Sequence, residues 1–393
     1  MKKIGLFLDS EPFDGGKFQY SLSMLRAVCN LTPGKYQIIV AYSPLHWEKH
    51  LSGSGVSSFH VPNNKIRWFY DRIWRNLRLP TQTWRRLCAS CFNFSQQIIN
   101  TKCDLWIFTA DNTLPYQLPV PALVSIFDLM HRYEKRFPEV SAYGRFTRRE
   151  KHFNEVCKWS SGILVDSETG KNQVVESYHV SPAKVYTLPF IAPDYITKPH
   201  SSEKKLSEKY NLPEKFIFYP AQFWEHKNHK NLIRAVKRLK PSIPDLKLVL
   251  VGSKKNAYPS VLELVNNSGL QNDVYFLGYV PDEDISEIYR HARAMIMPTF
   301  FGPTNIPPLE AFAVKCPAAV SGIYGMPEQS GDAALFFNPA SEIEISEAIK
   351  KLWLDDKLCS ELSEKGYRNH LSWNQNNFNR KLEDILDQYF TQK

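Results

Sequence analysis

Residues 298–310 read PTFFGPTNIPPLE and run directly into AFAVKCPAAVSG, residues 311–322. The apolar run ARAMIMP before them predicts a buried strand, and Pro307-Pro308 followed by LEAFAV predicts a helix start, because proline is well placed in a first turn. A Gly-Pro-Thr-Asn turn joins the two. In an open α/β sheet, ligands bind beyond the carboxyl ends of strands, and a helix start there offers N–H groups and the positive end of a dipole. That combination suits a phosphate. Glu310 falls about one turn into the helix, too deep to cap it but able to reach the hydroxyl pair of a nucleotide ribose. The same strand, turn and helix also occur in α/β proteins that bind nothing at that point.

Upstream of this stretch, strand and helix patterns alternate from FIFYPA (216–221) through KLVLVG (247–252), VYFLGYV and AMIMP, which predicts a parallel sheet. The loop QFWEHKNHK after the first of these strands carries Lys227 and Lys230. A lysine facing the same crevice as the helix start near Pro307 supplies the positive charge a diphosphate needs. Lys230 also reads as an ordinary surface lysine.

The first half has its own alternation. IGLFL (4–8) is followed by Gly15-Gly16 and the helical FQYSLSMLRAV, a βα unit whose glycines either admit a phosphate or sugar or make a simple tight turn. DLWIFT (104–109), PALVSIFD (121–128) and GILVDS (162–167) read as central strands, being continuous apolar runs. A polar cluster follows the second of them, with Asp128, His131, Arg132, Tyr133 and Glu134. A histidine there can orient or deprotonate a substrate, or simply cap a loop. Around residues 191–213 the pattern lapses into proline, serine and charge, which marks a connection.

Between Lys65 and Arg86 there are seven basic residues against the single acid Asp71, interleaved with tryptophans and other apolar side chains. Arg67, Trp68, Arg72, Trp74, Arg75 and Arg78 suit the headgroup layer of an anionic membrane, where rings sit at the interface and cations meet phosphate. A helix packed on its own domain with a solvated basic face is the plainer reading. Nucleic acid is disfavoured, since no recognisable RNA- or DNA-binding motif accompanies the patch.

The 393 residues exceed one ordinary core, and 43% hydrophobic with 23% charged residues is globular composition. A net charge of +9 favours an anionic partner. No apolar stretch is long enough to span a membrane, and the start MKKIGLFLDSEPFDGG turns polar too soon for a secretory signal, so the cytosol is expected. The seven cysteines are scattered, and the lone CxxC at Cys88 and Cys91 has no second pair, so neither zinc nor a disulfide is expected.

Taken together, these stretches resemble a retaining glycosyltransferase of the GT-B fold, similar to family 4 and to a subgroup of bacterial surface-polysaccharide enzymes. The resemblance covers nearly the whole chain and is most specific over IPPLEAFAVKCPAAVSGIYGMPEQSGDAALFFNP (306–339). It implies an α/β architecture of two Rossmann-like parallel-sheet domains facing a cleft. The expected divisions are an acceptor-binding domain over 1–195, a linker over 196–213, a nucleotide-sugar-binding domain over 214–371, and a C-terminal helix, 372–393, crossing back to the first domain.

Carried over residue by residue, Glu310 binds the donor ribose and Lys227 the diphosphate. The backbone of Thr304, Asn305 and Ile306 meets phosphate and sugar, Gly278, Tyr279 and Val280 lie against the base, and Gly15 and Gly16 approach from the first domain. His131, Asp128 and Lys227 are the catalytic candidates. The chain departs from the family at Gly302, where a glutamate is usual, at Gln222 in the donor site, where an arginine is usual, and at Phe127, where many relatives have histidine.

The resemblance implies hexose transfer from a nucleotide sugar, GDP-mannose or else a UDP-sugar, to a lipid-linked or lipopolysaccharide oligosaccharide, with no metal and no cofactor beyond the donor. It also implies work at the inner face of the cytoplasmic membrane. A nucleotide-sugar epimerase and a catalytically silent scaffold are the competing classes, the second supported by the three departures.

Overall fold

The computed structural model describes residues 1–62, 69, 73–74, 80–109, 113–198 and 203–392, with the side chains of 203–205 left aside. Two compact units account for it: residues 1–129, 147–189 and 375–393 form the first, and residues 130–146 and 190–374 the second.

The first unit is built on seven parallel strands: β1 Lys2–Leu8, β2 Tyr36–Tyr42, β3 Ser57–His60, β4 Leu105–Phe108, β5 Ala122–Ser125, β6 Gly162–Val165 and β7 Val185–Thr187. Their order is β3-β2-β1-β4-β5-β6-β7, so the winding reverses between β1 and β4. The central strands β4, β5 and β6 are buried along their whole length, as continuous apolar runs covered on both faces must be. The helix Gly16–Cys29 starts at Gly15-Gly16, at the carboxyl side of β1 beside this reversal.

The C-terminal helix Gln375–Thr391 packs on Gly16–Cys29 in this same unit. Gln375 donates to the Ser23 carbonyl at 3.0 Å, the Phe378 ring meets Tyr20 edge-on at 6.2 Å, and Lys35 pairs with Glu383 and Asp387. Trp74, of the Trp/Arg stretch, stacks on Trp84 at 5.1 Å and donates its indole N–H to the Pro80 carbonyl. Arg67, Trp68, Arg72, Arg75 and Arg78 lie outside the described residues.

The second unit has six parallel strands: β8 Ile217–Pro220, β9 Leu248–Val251, β10 Val274–Gly278, β11 Ala294–Met297, β12 Ala318–Ser321 and β13 Ala334–Phe337. Their order is β10-β9-β8-β11-β12-β13, with the reversal between β8 and β11. The loops at this switch point carry Lys227 and the 298–305 turn. The stretch around 191–213, read as irregular, contains a short helix, Glu203–Tyr210. Tertiary contacts hold it: Leu206 is buried, and Tyr210 donates to the Asp284 carboxylate at 2.6 Å. Among the described residues no helix is long and apolar enough to cross a membrane.

Packing at the reversal of the first sheet depends on one missing side chain. Gly5 of β1 lies opposite Trp106 of β4, and a Cβ there would come within 2.3–2.6 Å of the indole ring. Gly5→Ala should therefore destabilise the first unit by about 1–3 kcal/mol through overpacking. Thermal unfolding checks this; an unchanged melting temperature would mean that the ring has room to move.

Candidate functional site

The site is assembled at the switch point of the second sheet. After β8 the chain makes a short turn, Glu225–Lys227, and reaches Asn228, whose φ of +61° is tolerated by asparagine better than by most residues. The buried Asn228 amide donates to the Pro298 carbonyl at 2.8 Å and the Pro339 carbonyl at 2.7 Å. One side chain thus ties together the loops that follow β8, β11 and β13. The Lys227 carbonyl accepts from the Tyr219 hydroxyl at 2.9 Å, and the Lys227 ammonium donates to Asn305 Oδ1 at 3.2 Å.

Asn305 precedes the helix Ile306–Ala313, which has no acidic residue in its first turn. Four backbone N–H positions open a helix without an intrahelical partner. Here Pro307 and Pro308 have no N–H, and that of Asn305 is donated to Gln329 Oε1 at 3.1 Å. Ile306 alone remains of the four. Positive potential at this point therefore rests on the Lys227 charge and the helix dipole more than on a fan of N–H groups. Lys227 gains no second charge from His229. That buried ring is stacked at 4.4 Å on Phe223, and burial pushes its pKa down to about 3, so it is neutral at physiological pH.

Glu310 is buried, and its two carboxylate oxygens accept from two tyrosines: Tyr195 on Oε1, and Tyr289 on Oε2 at 2.7 Å. Burial pushes the Glu310 carboxyl above its ordinary range, and the two O–H donors pull against that shift. Gly278 has φ +71°, Tyr279 is 73% exposed and Val280 is buried, so of the base-loop residues Tyr279 presents its ring to solvent. Thr304 is buried and Ile306 half-buried.

The departures have physical explanations. Gly302 has φ +123°, and a Cβ would lie 2.5 Å and 2.9 Å from the Asn305 amide atoms, so the Asn305 side chain fills the space a glutamate stem would need. Gln222 accepts from the Trp224 indole at 2.9 Å, and Lys255 lies over the same indole at 5.2 Å. In the first unit, Phe127 meets Tyr20 edge-on at 5.1 Å, while Asp128 pairs with Arg149. Gly15, at φ +60°, precedes Gly16 at the helix start. His131 counts with the second unit; it is fully buried on the turn Met130–Tyr133, its ring 5.7 Å from Phe146.

Three contributors escaped the sequence reading: Tyr195, Tyr289 and Glu139. Tyr195 lies in the stretch read as a connection, Tyr289 sits in the helix after the base loop with no motif to mark it, and Glu139 precedes its partner by 87 residues. Glu139 accepts from the His226 backbone N–H at 2.9 Å, pairs with His226 Nδ1 at 2.5 Å, and accepts from Asn256 at 3.2 Å. It thereby fastens the Lys227 turn to the segment 130–146, whose Arg136 guanidinium lies 4.3 Å over the Phe300 ring.

Burial raises the Glu139 carboxyl, but the His226 ring and backbone N–H outweigh it and hold it at about 2, below its ordinary 4.5. A depressed carboxyl contributes stability that is fully present above the unfolded value and is lost as pH falls through the folded one. Wild-type stability should thus decline from pH 4.5 toward 2, and Glu139→Gln should flatten that slope. At neutral pH the substitution should cost about 2 kcal/mol. Thermal unfolding of both proteins across this range decides it; parallel curves would show that the pair carries no stability.

Residues 202–369 match the family model described as glycosyl transferases group 1. The O-antigen chain mannosyltransferase B of Escherichia coli is 26% identical over 223 residues, covering 56% of this chain and 58% of that protein. The chain thus spans less than two thirds of the curated relatives it matches first, only 27% in the case of an Escherichia coli serotype-specific mannosyltransferase. Anabaena HepE in complex with UDP and glucose superposes with a TM-score of 0.74 at 14% identity, over 98% of this chain and 100% of that one. The structure of WaaG, a glycosyltransferase involved in lipopolysaccharide biosynthesis, gives 0.68 at 15% identity over 98% and 99%. The chain has the GT-B fold, two parallel-sheet α/β domains, and the match to the glycosyl transferases group 1 model lies within its second half.

Proposed function

We propose that the protein is a glycosyltransferase that moves a hexose from a nucleotide sugar to an oligosaccharide in polysaccharide biosynthesis. The observation that carries this reading is the convergence, at one switch point, of the Lys227 ammonium, the start of the helix Ile306–Ala313 and the Glu310 carboxylate one turn further on. A cation beside a helix start suits the diphosphate, and a carboxylate one turn away suits the vicinal hydroxyls of the ribose. Glycosyl transfer builds negative charge on the departing diphosphate. Lys227 and the helix dipole would stabilise it without a metal.

The donor we assign is GDP-mannose and the acceptor a lipid-linked or lipopolysaccharide oligosaccharide, a choice supported by the mannosyltransferase name of the Escherichia coli relative. A UDP-sugar is the second reading, favoured by the nucleotide in the HepE complex. We further propose retention at the anomeric carbon through a front-face transfer, in which an oxygen of the leaving phosphate takes the acceptor proton. Gly302 then needs no carboxylate. His131 and Asp128 would orient the reacting hydroxyls.

Calorimetry and thermal shift with GDP, UDP, ADP and dTDP test the donor site. One nucleotide should stabilise the wild type, and Lys227→Ala and Glu310→Ala should each weaken it by about tenfold or more. Equal affinity in the variants would refute the site, and production of a sugar isomer without acceptor would favour an epimerase. An inverted linkage, read by NMR of the product, would exclude the front-face route. We also propose that the Trp/Arg stretch meets the inner face of the cytoplasmic membrane. Replacing Arg72, Arg75 and Arg78 by glutamine should then release the protein from anionic vesicles in a sedimentation assay, and unchanged binding would dismiss that contact.

A further inference from the structure

Glu310 can serve a ribose only if its carboxylate is charged, fixed in rotation and still has lone pairs to offer. A buried carboxylate fails the first two of these by itself, since burial favours the protonated form and a lone acid rotates about its last torsion. The two tyrosines supply what is missing. Tyr195 donates to Oε1 and Tyr289 to Oε2, so each oxygen is held by one O–H.

An ionised carboxylate has about four lone-pair positions, and two donors leave one on each oxygen. That is the count needed by a vicinal diol, with one hydroxyl to each oxygen. The Tyr289 hydroxyl also lies 3.3 Å from the Pro307 carbonyl, so it sits between the carboxylate and the helix start beside Lys227.

Both tyrosines are themselves anchored to one element. Tyr289 is fully buried on the helix Asp282–His291, which follows directly on the Gly278-Tyr279-Val280 loop. Tyr195 stands on the short turn Asp194–Ile196, and Arg290 of that same helix donates to the Ile196 carbonyl at 3.1 Å. The helix that follows the base loop therefore sets the position of both hydroxyls that grip Glu310.

We propose that Tyr195 and Tyr289 are positioning residues for the donor, holding Glu310 so that one lone pair of each oxygen is presented to the two ribose hydroxyls. This rests on the donor-site reading above. Two hydroxyls that merely satisfied a buried acid would affect stability and all nucleotides alike. Positioning instead acts on the ribose diol in particular.

The test compares GDP with 2′,3′-dideoxy-GDP by titration calorimetry, and the corresponding UDP pair. The wild type should prefer the ribonucleotide, and Glu310→Gln should erase most of that preference. Tyr195→Phe and Tyr289→Phe should each cut the preference by about tenfold, the worth of one charge-assisted hydrogen bond, while leaving affinity for the dideoxy compound unchanged. Phenylalanine variants that keep the wild-type preference, whatever their melting temperature, would overturn the proposal while Glu310→Gln still upholds the donor site. No ribose preference in the wild type, or no nucleotide binding at all, would refute the donor-site reading and this inference with it.

Discussion

The second unit's functional end depends on how the Asn228 amide is used. Its two N–H groups reach the carbonyls of Pro298 and Pro339, so one side chain joins the loops after β8, β11 and β13. A buried amide left without partners would cost about 1–3 kcal/mol, so these bonds strongly favour a single arrangement of the loops. Lys227, one residue earlier, inherits its position from that arrangement. So does the turn 298–305, whose last residue accepts the Lys227 ammonium.

Charge is concentrated rather than spread at this site. Gln222 is held by an indole, His229 is kept neutral by burial, and two prolines remove N–H groups from the helix start. Lys227 consequently stands as the principal cation toward the Asn305 side. Lys227 is half-buried, and a half-buried charge is screened less than an exposed one. The Glu310 oxygens, for their part, are gripped by phenols instead of cations.

Support for these groups comes from distant parts of the chain. Glu139 fastens the Lys227 turn from a segment that precedes it by some ninety residues of sequence and yet counts with the same unit. Tyr195 reaches Glu310 across 115 positions. Tyr195 reaches the helix Ile306–Ala313 from the short turn Asp194–Ile196, whereas Glu139, on the one-turn helix Pro138–Ser141, meets His226 on the turn Glu225–Lys227. Residues of that sort leave no periodicity in the chain, since neither strand alternation nor helical spacing records a contact so remote.

The sequence by itself determined the two parallel sheets, because β4, β5, β6, β8, β9, β11 and β12 are apolar runs separated by helical patterns, and that alternation admits few other architectures. It also determined a strand end and a helix start, since the Gly-Pro-Thr-Asn turn and the prolines after it mark both through local backbone chemistry alone. Tertiary structure decided the rest: that Asn305 fills the space beside Gly302, that Glu310 is gripped by Tyr195 and Tyr289, and that Glu139 pairs with His226. Local chemistry is written in neighbouring residues and can be read there. Side-chain partnership depends on distances that exist only once separate segments have packed together.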